Sequence, residues 1–349
     1  MKKVAIIGHF GFGHTCLDGQ TVKTAIVTDE LQEIFGSNRI LRIDTYGGAK
    51  TLLKAPFQVL HALKNAKNVL IFPAHNGLRV YAPLLAFFNR FFRRKLHYAV
   101  IGGWLPEFLK NRKSLSQALK RFDGIYVETN TMKKALEAQG LAHVYVMPNC
   151  KKLTILSENE LIYPEAPPYK LCTFSRVMKE KGIEDAVRAV QVVNEELGKT
   201  IYSLDIYGQV DVEQTAWFEN LKCAFPEYVR YCGVVDYDKS TDVLKNYFAL
   251  LFPTYYEGEG FAGTLIDAFS AGVPVIASNW KYNTEIVNQN VGFVYPTGDE
   301  QALVQALKAI ARQPSVVFDK KQSCLQESDK YKTQTAVRIL AERLEDDEA

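Results

Sequence analysis

Short apolar runs of strand length alternate with stretches of helical period along most of the chain, and this alternation restricts the fold more than any other feature. The runs "KVAIIGHF", "ILRIDTY", "NVLIFPA" and "HYAVIGG" are followed in turn by helix-like segments at 20–35, 49–66, 78–94 and 107–121. "GIYVET" and "VYVMPN" then flank the helix-like "TMKKALEAQG". Near-continuous apolar strands joined by helical crossovers make a parallel sheet covered on both faces. The series stops at "KKLTILSENELIYPEAPPY", which is polar, proline-bearing and without period. It restarts with "KLCTFSR", a helix at 182–196, "YSLDIYG", a helix near 213–224, "VRYCGVV", "FALLFPT", a helix after Gly263 and "PVIAS". The expected class is α/β: two Rossmann-like, doubly wound parallel-sheet domains facing across a cleft, at 1–152 and 153–329, with a last helix at 330–349. A length of 349 residues agrees with two cores.

Composition narrows the setting. With 47% hydrophobic and 23% charged residues the chain reads as soluble and globular. No apolar run approaches the roughly 18 residues of a membrane span, and "MKKVAIIGHFGFG" turns glycine-rich before a signal-peptide core is complete. A cytoplasmic location is expected. The 6 cysteines are scattered, with no C-x-x-C pair and no histidines at ligand spacing, so they read as reduced thiols. The net charge of +3 hides an asymmetry. Residues 1–152 hold 23 Lys and Arg against 9 Asp and Glu, while the remainder holds 19 against 30. The basic half suits an anionic membrane surface or another polyanion, and attraction between the halves is the alternative. Nucleic acid is not expected as a partner.

Ligands of open parallel sheets bind beyond the carboxyl ends of the strands. That rule selects "GHFGFG", "DGQT", "FPAHNG", "IGGW", "FSRVMKEKG", "YGQV" and "YYEGEG". The richest stretch is "YYEGEGFAGTLIDAFSAGVPVIAS", where Glu259 and Asp267 flank glycines between a strand and a helix. Glycine permits close backbone approach, and a helix N-terminus favours phosphate. Carboxylates beside it accept from hydroxyls, so the stretch suits a phosphorylated, hydroxylated ligand. The alternative makes Asp267 a dipole-favouring acid and Glu259 a solvated loop residue.

Other motifs compete. Gly8, Gly11 and Gly13, with Asp44 at the end of the second strand, imitate a dinucleotide fingerprint, but their spacing is G-x-x-G-x-G and the helix starts only near Gln20. An NAD-dependent oxidoreductase is the competing class. Asp236 and Asp238 form a D-x-D that either holds a divalent cation or caps a helix, and capping is expected. His75 is a candidate polar or proton-transfer group, ahead of His9 and His14. In "LLAFFNRFFRRKLHY", four phenylalanines interleave with Arg90, Arg93, Arg94 and Lys95, more than one helical stripe can bury, so a peripheral membrane contact competes with plain core plus solvated charge.

With these pieces in order, the chain resembles the retaining nucleotide-sugar glycosyltransferases of the two-Rossmann-domain (GT-B) fold, in particular glycosyltransferase family 4, the group 1 glycosyltransferases. "EGFAGTLIDAFSAGVPVI" is similar to the family's E-x7-E motif and its trailing A-x-x-x-G-x-P-V-I, with Asp267 in place of the second glutamate. "FSRVMKEKG" resembles G-R-x-x-x-x-K-G, with Ser175 in the glycine position and Arg176 and Lys181 intact. The likeness is strongest over 169–297 and one of pattern only over 1–150. It implies that Glu259 holds sugar hydroxyls of the donor, that Gly260, Phe261, Ala262, Gly263 and Thr264 surround its phosphates, and that Asp267 takes the ribose. Arg176 and Lys181 would neutralise the leaving diphosphate in place of a metal. Gly19, Gly208 and Val234 join the nucleotide-contacting set, and His75, Asn76, Trp104 and Glu285 are candidate acceptor or sugar contacts.

The resemblance further implies transfer with retention, no side-chain nucleophile, no cofactor and no metal. The donor would be a nucleotide sugar, taken as a UDP-sugar, and the acceptor a glycan or lipid-linked glycan on the first domain. Assembly of capsule, exopolysaccharide or lipopolysaccharide on the inner membrane face is the implied setting, and the last helix would return to the first domain. A sugar-nucleotide epimerase and an inactive carbohydrate-binding relative share the fold, and reaction without acceptor or absence of turnover distinguishes them.

Overall fold

The computed structural model describes residues 1–11, 19–47 and 49–345, so the expectations placed on Gly13, His14, Cys16 and Asp18 lie outside the described residues. The chain divides into two compact units, Met1–Lys152 with the segment from Tyr331 onward, and Leu153–Lys330.

The first unit runs β1 (Lys2–Gly8), α1 (Gly19–Phe35), β2 (Ile40–Asp44), α2 (Ala49–Leu52), α3 (Ala55–Asn65), β3 (Ala66–Ile71), α4 (His75–Phe92), β4 (Lys95–Ala99), α5 (Leu105–Leu109), α6 (Lys113–Leu119), β5 (Gly124–Val127), α7 (Asn130–Glu137) and β6 (Val144–Val146). Its parallel strands lie in the order β2-β1-β3-β4-β5-β6. Two helices expected from period are each broken in two. The 49–66 segment restarts at Ala55 because Pro56 in the first turn of α3 cannot donate to a preceding turn. The 107–121 segment breaks at Arg112, whose backbone leaves helical geometry (φ −127°, ψ 65°) while its guanidinium lies 3.8 Å from the centre of the Phe108 ring.

The second unit runs β7 (Tyr169–Phe174), α8 (Ile183–Glu196), β8 (Tyr202–Tyr207), α9 (Thr215–Cys223), β9 (Val229–Gly233), α10 (Ser240–Leu244), β10 (Ala249–Phe252), α11 (Gly263–Ser270), β11 (Val275–Ser278), α12 (Asn283–Ile286), β12 (Gly292–Tyr295), α13 (Glu300–Arg312) and α14 (Ser315–Ser328). Strand order is β12-β11-β10-β7-β8-β9, again parallel. Leu204 and Ile206 share a buried core with Val187 and Val190 of α8 and Leu303 and Leu307 of α13. The final helix, α15 (Thr333–Glu345), belongs to the first unit, where Val337, Leu340 and Leu344 join Val4, Ile6 and Val27.

These two sheets with their flanking helices are Rossmann-like domains. In each, successive crossovers leave one strand in opposite directions, between β1 and β3 in the first sheet and between β7 and β10 in the second. Such switch points open a crevice at the carboxyl ends of the strands.

Candidate functional site

The switch point of the second sheet gathers most of the residues singled out from sequence. Lys181, in a tight turn before α8, places Nζ 2.6 Å from Glu259 Oε2, with the two side chains only 11% and 7% exposed. Thr254, two residues beyond β10, donates from Oγ1 to the same Oε2 at 2.8 Å, and its own carbonyl accepts from Ser278 Oγ at 2.6 Å. The Tyr256 ring flanks the ammonium at 5.0 Å. Both protein donors thus converge on one carboxylate oxygen. Glu259 Oε1 has no protein partner among the described residues.

Arg176 follows β7 and is different in kind. Its side chain is 55% exposed, and its contact to Asp211 Oδ2 is long, at 3.4 Å. The fold therefore brings Lys181 and Glu259 together and leaves Arg176 in the open. Gly208 explains how the neighbouring loops approach: with φ 136°, a Cβ there would stand 1.8 Å from the Ser175 carbonyl oxygen. Val234 is 65% exposed just past β9.

Helix α11 starts at Gly263 after Ala262, which makes no side-chain cap. Its first-turn N–H groups are of the kind that bind anions. Thr264 Oγ1, at the second position, is buried and has no hydrogen-bond partner among the described residues. Gly260, Phe261 and Asp267 are buried around this end. Glu285 is half-buried in the first turn of α12.

The D-x-D reading is revised in part. Asp236 holds the N-cap position of the Tyr237–Lys239 turn but its side chain makes no cap bond, and Asp238 lies within that turn. Capping there is carried by the backbone, through Lys239 N–H to the Asp236 carbonyl at 2.9 Å. Among the described residues no three His, Cys, Asp or Glu side chains cluster closely enough to hold a metal ion.

The first sheet carries a cavity of about 390 Å³ at its own carboxyl edge, lined by His9, Thr45, Leu52, His75, Asn76 and Tyr81 among others. His75 opens α4 and stacks on Trp104, ring centres 3.9 Å apart, with Phe108 edge-on at 5.1 Å. Desolvation, then the nearby Arg112 charge, hold its pKa below the usual histidine range. Trp104 is 9% exposed and donates its indole N–H to the Ile101 carbonyl at 2.8 Å, so it supports His75 from behind. Gly19 is exposed at the start of α1.

The dinucleotide imitation has a structural explanation. Asp44 Oδ1 accepts from the backbone N–H groups of Phe10 and Tyr46, both at 2.9 Å, and so ties two strand-end loops together. Gly8 admits α1, since a Cβ there would meet Thr24 Cγ2 at 2.5 Å.

On α4, Leu78, Tyr81 and Leu85 are buried while Phe87 and Phe91 are 49% and 77% exposed. Arg90 lies over the Phe87 ring at 4.9 Å, and Arg93 ends the helix in left-handed geometry. Arg94 is not a solvated charge, because its Nε donates to the Leu63 carbonyl at 3.1 Å, and Lys95 starts β4. No helix among the described residues is long and apolar enough to cross a membrane.

Sequence reasoning missed Thr254 and Asp211 as partners, each of which stands one residue outside a strand-end loop it selected. It also missed the buried Lys23–Glu128 ion pair of the first unit, at 2.5 Å with side chains 4% and 3% exposed. No local signal joins residues 105 positions apart.

Comparison with known proteins adds a family. Residues 168–313 match the family described as glycosyl transferases group 1. The GtfA subunit of UDP-N-acetylglucosamine–peptide N-acetylglucosaminyltransferase from Streptococcus gordonii is 27% identical over 229 residues, 64% of this chain and 44% of that protein. The amylovoran biosynthesis glycosyltransferase AmsK from Erwinia amylovora is 25% identical over 151 residues, 42% of this chain and 36% of that protein. The chain thus spans less than half the length of these relatives. The solved structure of Anabaena Alr3699/HepE in complex with UDP aligns over 99% of this chain and 100% of that one, with a TM-score of 0.75 at 15% identity.

Proposed function

From the premise that this is a group 1 glycosyltransferase chain of the GT-B fold, we propose that it moves a sugar from a UDP-sugar to a glycan or lipid-linked glycan, with retention of configuration and without a metal. The observation that carries the proposal is the division of labour at Glu259. Lys181 and Thr254 fix Oε2, which leaves Oε1 to accept from a donor-sugar hydroxyl at the mouth of the second sheet's switch point. The amino end of α11 takes the phosphates, and Thr264 Oγ1 gains the partner that the protein does not give it. Asp267 accepts from the ribose hydroxyls. The UDP complex of HepE and the UDP-N-acetylglucosamine named for GtfA favour uracil as the base.

The bond from the anomeric carbon to the β-phosphate oxygen breaks while the acceptor oxygen bonds to the same face of that carbon. The acceptor proton passes to the leaving phosphate, so no side-chain nucleophile is needed. Arg176, with donors free to solvent, and Lys181 offset the charge that grows on the diphosphate. The aromatic cavity at His75 receives the acceptor. Surface polysaccharide assembly is the favoured setting, in line with the amylovoran role named for AmsK. Phe87 and Phe91 with Arg90 and Arg93 give the first unit a peripheral contact to an anionic membrane.

The test is transfer from a radiolabelled UDP-sugar panel to lipid-linked glycans, with the anomer of the product read by NMR. Activity persists in EDTA under this reading. Restoration by magnesium after loss in EDTA would return the assignment to Asp236 and Asp238, and release of an altered nucleotide sugar without acceptor would favour an epimerase.

A further inference from the structure

Lys321 of α14 is fully buried, at 0% exposed, with no carboxylate paired to it among the described residues. Its Nζ lies 3.4 Å from the carbonyl oxygens of Tyr247 and Gly272. Gly272 stands at the end of α11, where Gly272 N–H reaches the Phe269 carbonyl at 3.0 Å and Val273 N–H the Ala268 carbonyl at 2.8 Å, a Schellman ending closed by a left-handed glycine at φ 63°. Tyr247 lies shortly after α10. The ammonium therefore sits at the negative end of α11, with the loop carbonyl of Tyr247 beside it, and the other end of that helix is the one proposed to bind phosphate.

A lysine in that place is costly. Desolvation lowers its pKa from 10.5 to about 8, so the cost of burying the charge is fully present at pH 7 and is relieved as pH rises from about 8 toward 10.5. Cys324 on the same helix acts on it, but burial pushes that thiol up and keeps it neutral, with Lys320 and Glu327 beside it. Burial, and then its hydrogen bonds, hold the Tyr247 phenol protonated as well, and α11 contributes Asp267 at the fifth of its 8 positions. Packing alone would be better served by methionine or leucine.

We infer that Lys321 is a positioning residue for the donor diphosphate, acting through α11: it closes the carboxyl end of the helix and adds a buried positive charge behind the anion bound at the amino end. The inference rests on the phosphate assignment made above. An 8-residue helix is about 12 Å long, and a unit charge at roughly that range still favours an anion several-fold at an interior dielectric constant of about 20.

Lys321→Met keeps the volume and removes the charge. Calorimetric titration at pH 7 with whichever of UDP, GDP and ADP the wild type binds should show affinity weakened roughly five- to tenfold, with the cognate uncharged nucleoside unaffected and Tm raised. Equal losses for diphosphate and nucleoside, or a lowered Tm with unchanged diphosphate affinity, would make Lys321 a plain structural residue. If the variant does not fold, the wild type decides. Its diphosphate affinity should fall between pH 7 and about 8.5, a window across the Lys321 titration and below ionisation of the base, while nucleoside affinity stays level, and a flat diphosphate profile would overturn the inference. Binding of none of the three diphosphates would overturn the donor-site reading, and this inference with it.

Discussion

The carboxyl edges of the two sheets differ in the kind of surface they present. The second sheet's edge is organised around charge: Lys181 and Glu259 are buried against each other, Thr254 fixes the pair, and α11 aims its amino end nearby. The first sheet's edge is organised around rings, with His75 stacked on Trp104, Phe108 edge-on and His9 on Tyr46 at 4.9 Å, around an open cavity. A diphosphate needs preorganised dipoles and cations, because these are costly to assemble at the moment of binding. A carbohydrate acceptor asks for flat apolar faces with a few polar tips, which rings supply with little conformational freedom to lose. On the proposed reading, the contrast teaches that one strand-end geometry would serve two chemistries through side chains alone.

The largest expected effect tests whether the ion pair is functional as well as structural. Lys181→Met and Glu259→Gln should each lower turnover by about 10²–10³-fold. Each should also cost about 3 kcal/mol of stability, since removing one partner leaves the other charge buried and unpaired. The double variant should recover much of the stability but none of the turnover. Denaturant titration alongside single-turnover kinetics reads both.

Arg176 sharpens the comparison within the same edge. Its exposure predicts that Arg176→Ala loses turnover on a similar scale at unchanged Tm. Unchanged turnover would leave charge neutralisation to Lys181 and α11. Asp267→Ala comes next, with nucleotide affinity weakened by about 1.5–3 kcal/mol through lost hydrogen bonds to a charged group. Calorimetry that finds the same affinity would remove Asp267 from the site.

Effects on the first edge are smaller and should spare the donor. His75→Ala should raise KM for the acceptor several-fold and leave UDP affinity alone. Because desolvation lowers the His75 pKa, the ring is neutral at pH 7, and acceptor binding should weaken only as pH falls below the usual histidine range. A pH profile identical in His75→Gln would detach the histidine from the acceptor. The smallest effect concerns α4. Arg90→Gln with Arg93→Gln should reduce flotation with anionic vesicles, most visibly at low salt, without altering either edge. Equal flotation of both proteins would leave Phe87 and Phe91 as ordinary surface.

Much of the fold was legible because apolar runs of strand length and helical crossovers leave a parallel sheet as the consistent outcome. Glu259, Gly263 and Asp267 could be read as a site since glycines, a helix start and carboxylates fall within one short stretch. The breaks at Ala55 and Arg112 were not read. Pro56 acts through the turn it cannot join, and Arg112 through its Nη1, which takes the Phe108 carbonyl that a continuing helix would use. The elements β12, α12, α13 and α14 were not singled out either.

What the sequence determined by itself is local: the two alternating series, the carboxylates and glycines after β10, and the Arg176–Lys181 interval after β7 are all set by neighbours along the chain. Tertiary structure decided which of these groups meet. Lys181 reaches Glu259 across 78 positions, Asp44 is taken up by backbone N–H groups, Arg94 by the Leu63 carbonyl, and Lys321 by the carbonyls of Tyr247 and Gly272. The physical reason is that a side chain's charge state and partners depend on the solvent it loses and the dipoles it gains, and both are fixed only when distant segments pack around it.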